Sequence, residues 1–176
     1  MENETKANNM KYKSIAIFDL DETVIDSKHR TPNNPDGTLN LAAYIENHKP
    51  ENVAKDTLLP LAKTFINLAA RPDVYIIICT ARDMKPCDYE FLQKHGLHAN
   101  LILSRDKASK KHYAMKDGDY KTTWLKKILS LKQFANLPAV MWDDAKPVKT
   151  AIRKMGIPVI CAHKANKYLH KMGYAV

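Results

Sequence analysis

A mainly parallel α/β fold with helices on both faces of the sheet is predicted by three observations. Short apolar runs recur along the chain, helix-forming stretches separate them, and polar residues follow the runs directly. Strands alternating with helices imply right-handed crossovers. Ligands in such open sheets bind beyond the carboxyl ends of the strands, so the residues that end each run are where function should be sought.

The first run, residues 14–18 (SIAIF), passes into the acidic DLDE, as a buried strand delivering a polar loop should. A segment rich in Asn, Pro and His, residues 27–52, leaves from that strand end and reads as a binding element or small cap insertion. Helix-like apolar spacing then covers residues 53–70. The second run, 74–79, leads into Thr80, Ala81 and Arg82. A helix over 86–95 follows, with Pro86 suited to its first turn and Gly96 to its C-terminal cap. A third run, 100–103, opens onto a basic irregular segment, 105–120. Residues 121–134 read as a helix that Thr122 or Thr123 could cap. The fourth run, 139–142, ends in Asp143 and Asp144, before a helix over 145–155 closed by Gly156 and a last strand candidate at 157–160.

With 176 residues the chain has material for one domain with a substantial core. The expected organisation is a polar leader over 1–12 and a single domain over 13–176. A composition of 45% hydrophobic and 27% charged residues excludes collagen, coiled coil and global disorder. The cysteines Cys79, Cys87 and Cys161 form no CxxC pair, which suggests neither a disulfide framework nor a zinc knuckle and fits a reducing compartment. MENETKANNM lacks the apolar core of a signal peptide and no apolar run is long enough to span a bilayer, so a soluble cytoplasmic protein without a membrane partner is expected. The formal charge of +9 favours encounters with phosphorylated partners, although a basic surface alone does not name one.

The strand ends bring Asp19, Asp21, Thr80, Asp143 and Asp144 to one edge. Aspartates at i and i+2 can offer a cation one carboxylate and one backbone carbonyl and leave the second carboxylate free. Magnesium suits such sparse oxygen ligation, and Asp143 or Asp144 from another strand can complete the site. A carboxylate can also attack phosphorus, which assigns Asp19 as nucleophile and Asp21 as the acid and base of two successive steps. Thr80 and Lys121 are available as donors to the transferring phosphoryl oxygens. Each feature alone is equally compatible with a solvated turn or a helix cap. Their order along the chain carries the assignment.

The ordered motifs FDLDET, ICTAR, Lys121 and WDD resemble the four signature motifs of the haloacid dehalogenase superfamily of phosphatases, from residue 15 to residue 160. The resemblance implies a Rossmann-like core with Asp19 as nucleophile, Asp21 as general acid and base, Lys121 as charge stabiliser and Thr80 as phosphoryl ligand. It further implies Mg2+ held among Asp19, Asp21, Asp143 and Asp144. Within the superfamily the chain is similar to the 3'-phosphatase domain of bacteriophage polynucleotide kinase-phosphatases. That likeness implies substrate roles for Arg30, Arg82 and Asp119, the last within a Gly118-Asp119 pair ahead of Lys121. Glu22 stands where that domain commonly has glycine, and ICTAR replaces a serine-glycine-arginine version. No GxxxxGK[ST] loop is present, so a kinase activity is not implied, and any kinase or ligase would be a separate partner.

The resulting expectation is a phosphatase of 3'-phosphate nucleic-acid ends. The alternative is a 5'- or 3'-nucleotidase with the same chemistry on free nucleotides. Lys107, Lys110, Lys111, His112 and Lys116 discriminate, since a basic flap tracks a polynucleotide backbone but is unnecessary for a mononucleotide. A non-enzymatic phosphoacceptor domain would place its acceptor aspartate after a middle strand, where this chain has Thr80 and Ser104.

Overall fold

The computed structural model describes residues 12–106 and 108–174. Apart from Tyr12, the polar leader expected over 1–12 lies outside the described residues, as does Lys107. Five parallel strands form the main sheet: β1 (Ser14–Phe18), β4 (Val74–Asp83), β5 (Leu101–Arg105), β6 (Ala139–Asp143) and β7 (Val159–Cys161). Their order is β5-β4-β1-β6-β7. β1 is central because its residues are apolar on both faces, as a strand covered by helices on each side requires.

The two faces of β1 divide the core. Ala16 and Phe18 join Ile76, Ile78, Phe65 and Trp142 on one side, under α3 (Leu61–Ala69), α4 (Pro86–Lys94) and α8 (Ala162–Lys171). Ile15 and Ile17 join Ile77, Cys79, Met141, Leu125 and Ile152 on the other, under α6 (Asp117–Leu129) and α7 (Lys146–Arg153). Phe18 stacks on Trp142 with ring centroids 4.5 Å apart, which locks the end of β1 to the end of β6. Asp19 is the next residue along the chain.

Between β1 and α3 the chain makes an excursion. A two-stranded antiparallel ribbon, β2 (Ile25–Asp26) with β3 (Thr57–Leu58), closes its base. Within it lie a 3-10 turn (Lys28–Arg30), α1 (Leu41–Asn47) and α2 (Pro50–Val53). A continuous helix over 53–70 was the sequence expectation; instead the chain reaches β3 and Pro60 before α3 begins. The β3 pairing and the proline interrupt what the apolar spacing reads as one helix.

The strands also differ in extent from their apolar runs. β4 continues from Cys79 to Asp83, with a register shift against β5 between those residues. The flap expected as irregular contains α5 (Lys110–Ala114), and α6 starts at Asp117 and stops at Leu129 instead of running over 121–134. α8 has no counterpart in the sequence reading. No helix among the described residues is long and apolar enough to cross a membrane.

Candidate active site

Three elements deliver the centre of the site. Asp19 follows β1, and its N–H donates to Trp142 O at 3.0 Å, so the start of this loop is fixed against β6. Asp143 ends β6, fully buried. Lys121 comes from the second turn of α6, where Gly118 lets that helix approach α7: a Cβ at residue 118 would lie 3.2 Å from Ala151 Cβ. Lys121 Nζ is 2.9 Å from Asp19 Oδ2 and 2.8 Å from Asp143 Oδ2. Thr80 is also buried, and its Oγ1 accepts from the Arg82 N–H at 3.1 Å.

The electrostatics follow from crowding. Burial pushes the Asp19 carboxyl up; Lys121 pulls it back, while Asp143, Asp144 and Asp21 push it further, leaving it at about 8. Burial would discharge Lys121, yet the flanking Asp19 and Asp143 outweigh burial and hold the ammonium well above its usual range. Asp144 is likewise raised, by burial and by its neighbour Asp143. Ligand atoms of Asp19, Asp143 and Asp144 all lie within 4.8 Å of one another. Asp19 Oδ1 is buried without a hydrogen-bond partner among the described residues. Unpaired buried oxygens and carboxyls driven toward protonation are what a divalent cation relieves, and hard oxygen donors suit magnesium chemistry. Asp19, Asp143 and Asp144 therefore fit such an ion.

Asp21 is oriented differently. Its side chain accepts from Ser27 Oγ at 2.6 Å and forms a two-point ion pair with Arg82, Nε lying 3.1 Å from Oδ2 and Nη2 bonding Oδ1. Burial raises this carboxyl, but the Arg82 charge and hydrogen bonds, with Ser27 and Arg30 adding to them, bring it down to about 2. The Asp21 side chain is thus not among the clustered metal-type donors, which leaves its backbone carbonyl for such a role.

The two arginines sit deep and paired. Arg30 donates from Nε and Nη2 to Asp56 at 2.8 and 2.7 Å, while its Nη1 is buried without a partner among the described residues. Arg82 spends its guanidinium on carboxylates, Asp21 on one side and Asp88 at 2.6 Å on the other. Asp119 is exposed and lines a groove between α6 and α7 with Lys126, Lys146 and Lys154; it is not brought to Lys121.

Sequence reasoning missed Ser27, His48, Asp56 and Asp88 as neighbours of the motif residues. Asp88 carried a usable signal: it is the third residue of a helix opened by Pro86, and its carboxylate accepts the Lys85 N–H at 2.8 Å. Asp56 had none, since its partner Arg30 lies 26 residues away.

The fold, with acidic groups at the ends of β1 and β6, is that of haloacid dehalogenase-like hydrolases. A haloacid dehalogenase-like hydrolase from Streptococcus pneumoniae superposes with a TM-score of 0.60 at 15% identity, covering 84% of this chain and 83% of that one. A chain of the Pnkp1/Rnl/Hen1 complex gives 0.56 at 19% identity, over 85% of this chain and 46% of that chain. More specifically, the chain belongs to the bacteriophage T5 5'-deoxynucleotidase family, whose model matches residues 5–176. The 5'-deoxynucleotidase of Escherichia phage T5 is 33% identical over 171 residues, covering 88% of this chain and 69% of that relative.

Proposed function

We propose that this protein is a magnesium-dependent 5'-deoxynucleotidase, releasing inorganic phosphate from deoxynucleoside 5'-monophosphates. The observation that carries the reading is family membership across residues 5–176, which includes every motif residue. Asp19 attacks the phosphorus while the bond to the 5' oxygen breaks. Arg82 and Ser27 hold the Asp21 carboxylate ionised in the free protein, so Asp21 takes up a proton from the incoming phosphate monoanion and passes it to the departing alkoxide. Asp21 then takes a proton from the water that attacks the aspartyl-phosphate, which frees phosphate and regenerates the Asp19 carboxylate. Lys121, Thr80 and the unpartnered Nη1 of Arg30 are the donors available to the phosphoryl oxygens. A magnesium ion held by Asp19, Asp143, Asp144 and the Asp21 carbonyl would supply charge neutralisation between carboxylates and substrate. Residues 27–56, closed at their base by β2 and β3, serve as a small cap in a single phosphatase domain.

One observation favours a second reading, a phosphatase of 3'-phosphorylated nucleic-acid ends. Lys110, Lys111 and Lys116 are exposed on the segment that leaves β5. That segment is anchored by Arg105 to Met115 O at 2.8 Å and by Tyr113 Oη to Asp83, at the end of β4, at 3.3 Å.

Phosphate release from deoxynucleoside 5'-monophosphates, ribonucleoside 5'-monophosphates and 3'-phosphorylated oligonucleotides, each at low and high salt, separates the readings. The deoxynucleotides should be the best substrates, with a shallow salt dependence, and changing Lys110, Lys111 and Lys116 to Ala should alter kcat/KM on them less than about 3-fold, because a single phosphate releases few counterions. Preference for oligonucleotides, with a steep salt slope lost in the triple variant, would put the second reading first.

A further inference from the structure

We infer that His48 and Asp88 form a positioning pair that aims the Asp21 carboxylate through Arg82. The inference rests on the proposed role of Asp21 as acid and base. His48 lies between α1 and α2, and Asp88 in the first turn of α4; neither belongs to a motif of the site. His48 Nε2 is 2.7 Å from Asp88 Oδ2, which also accepts the Lys85 N–H. Asp88 Oδ1 accepts from Arg82 Nη1 at 2.6 Å. From there the guanidinium turns its Nε and Nη2 to Asp21. His48, Asp88 and Arg82 are 3%, 1% and 3% exposed, so water does not replace any of these bonds.

A buried guanidinium takes the orientation that its carboxylates dictate, because each unmet N–H in a water-poor site costs a desolvation penalty. Asp88 fixes one edge of Arg82, and the other edge then fits Asp21 in the fork geometry that arginine and carboxylate share. A competing partner is close: Arg82 Nη2 is 3.9 Å from Asp56 Oδ2. Without Asp88 the guanidinium can lean toward Asp56, which already holds Arg30, and release Asp21. His48 completes the arrangement. Its ring occupies Asp88 Oδ2, and its carbonyl accepts from Lys85 Nζ at 2.6 Å, so the excursion between β2 and β3 is tied to the helix that steers Arg82.

Ligand atoms of His48, Cys87 and Asp88 also lie within 4.8 Å of one another, a spacing open to a metal. Both Asp88 oxygens and His48 Nε2 are already engaged, and the Arg82 cation occupies the position beside Asp88. That favours a hydrogen-bonded pair over a cation site.

Aim matters most where the proton matters most. A deoxynucleoside alkoxide leaves with difficulty unless protonated, whereas p-nitrophenolate leaves unaided. A slackened Asp21 should therefore slow nucleotide hydrolysis while sparing the aryl ester. The test compares kcat and KM for thymidine 5'-monophosphate and p-nitrophenyl phosphate in His48→Ala, His48→Gln, Asp88→Asn and Asp21→Asn proteins. We expect His48→Ala and Asp88→Asn to lower kcat on the nucleotide about 10-fold or more, with KM little changed and the aryl ester affected less than about 3-fold. His48→Gln, which can still donate to Asp88, should recover much of the loss. Should Asp88→Asn fail to fold, the His48 pair carries the comparison, since Asp88 keeps two donors in it. Equal losses on both esters, or no rescue by Gln, overturn the inference. If Asp21→Asn itself shows no bias between the two esters, the role given to Asp21 fails, and that outcome is distinct from failure of the His48–Asp88 pair.

Discussion

Asp19, Asp143 and Asp144 share with Lys121 a space from which water is largely excluded, and burial makes each group costly to charge alone. An unfolded aspartate gives up its proton near 3.8, whereas folded Asp19 holds its own to about 8. Between those values the folded state binds more protons than the unfolded one, so unfolding free energy falls as pH rises. The melting temperature of the metal-free protein should therefore drop from about pH 5 to about pH 8, and that slope should shrink in Asp19→Asn. Lys121 adds nothing to this window, because it is charged in both states throughout it. Binding of Mg2+ should expel the proton that Asp19 holds near neutral pH, which titration calorimetry in buffers of different ionisation enthalpy reads as proton release. An uptake of magnesium with no buffer dependence would contradict the crowded-carboxylate account. Asp19→Asn should also lose turnover, because an amide cannot attack phosphorus, while melting no lower than the parent above about pH 8, where the parent has given up the Asp19 proton and carries one more buried negative charge beside Asp143.

At the scale of elements, α6 is the part whose placement the proposed chemistry needs, because it carries Lys121 to two carboxylates at once. Its seat depends on Gly118, where a Cβ would lie 3.2 Å from Ala151 Cβ and 3.5 Å from Pro147 O. Gly118→Val should push α6 off α7, destabilising the protein by about 1–3 kcal/mol and lowering kcat more than KM, as overpacking displaces the ammonium. A variant of unchanged stability and kcat would mean that the helix pair has slack. This glycine was visible in the sequence only as a neighbour of the lysine, and its packing reason was not. What the sequence made legible was the alternation of apolar runs with helices: β1 begins and ends where its run does, and Asp19, Asp143 and Lys121 meet. Elements without a strong apolar period escaped it. β2 and β3 have two residues each, too few for a period to register, and α8 reads AHKANKYLHK, whose few apolar positions do not announce a helix. The arginines were legible as residues but not as partners, since Asp56 and Asp88 reach them only after folding.

The whole molecule closes on the loop proposed to be catalytic through α8, a connection between parts distant in sequence. Asn166 Oδ1 accepts the Leu61 N–H at 2.8 Å, and its Nδ2 donates to Thr23 O at 3.0 Å, across separations of 105 and 143 residues. The first bond matters because α3 opens after Pro60, which has no side-chain acceptor, so the helix's first free N–H is satisfied by a residue from α8. The second bond holds the turn after Asp21, where Thr23, Val24 and Ile25 all donate back to Leu20 O and Glu22 adopts a φ of 56°, a conformation that favours glycine. Asn166→Ala removes both bonds in a part-buried place and should cost about 1–3 kcal/mol, read as a lower denaturant midpoint at unchanged m. Asn166→Asp separates the two ends of the clamp. Its carboxylate can still accept from Leu61, but it cannot donate to Thr23 O and repels that carbonyl, so the turn loosens while α3 keeps its cap. It should therefore keep more stability than the alanine variant yet lose as much kcat, about 3- to 10-fold on a deoxynucleoside 5'-monophosphate, because a displacement on the order of 1 Å at Asp19 and Asp21 is felt directly by the reacting atoms. If the aspartate variant keeps the parent's kcat, Asn166 stabilises α3 alone, and the order of the catalytic turn comes entirely from its own bonds to Leu20.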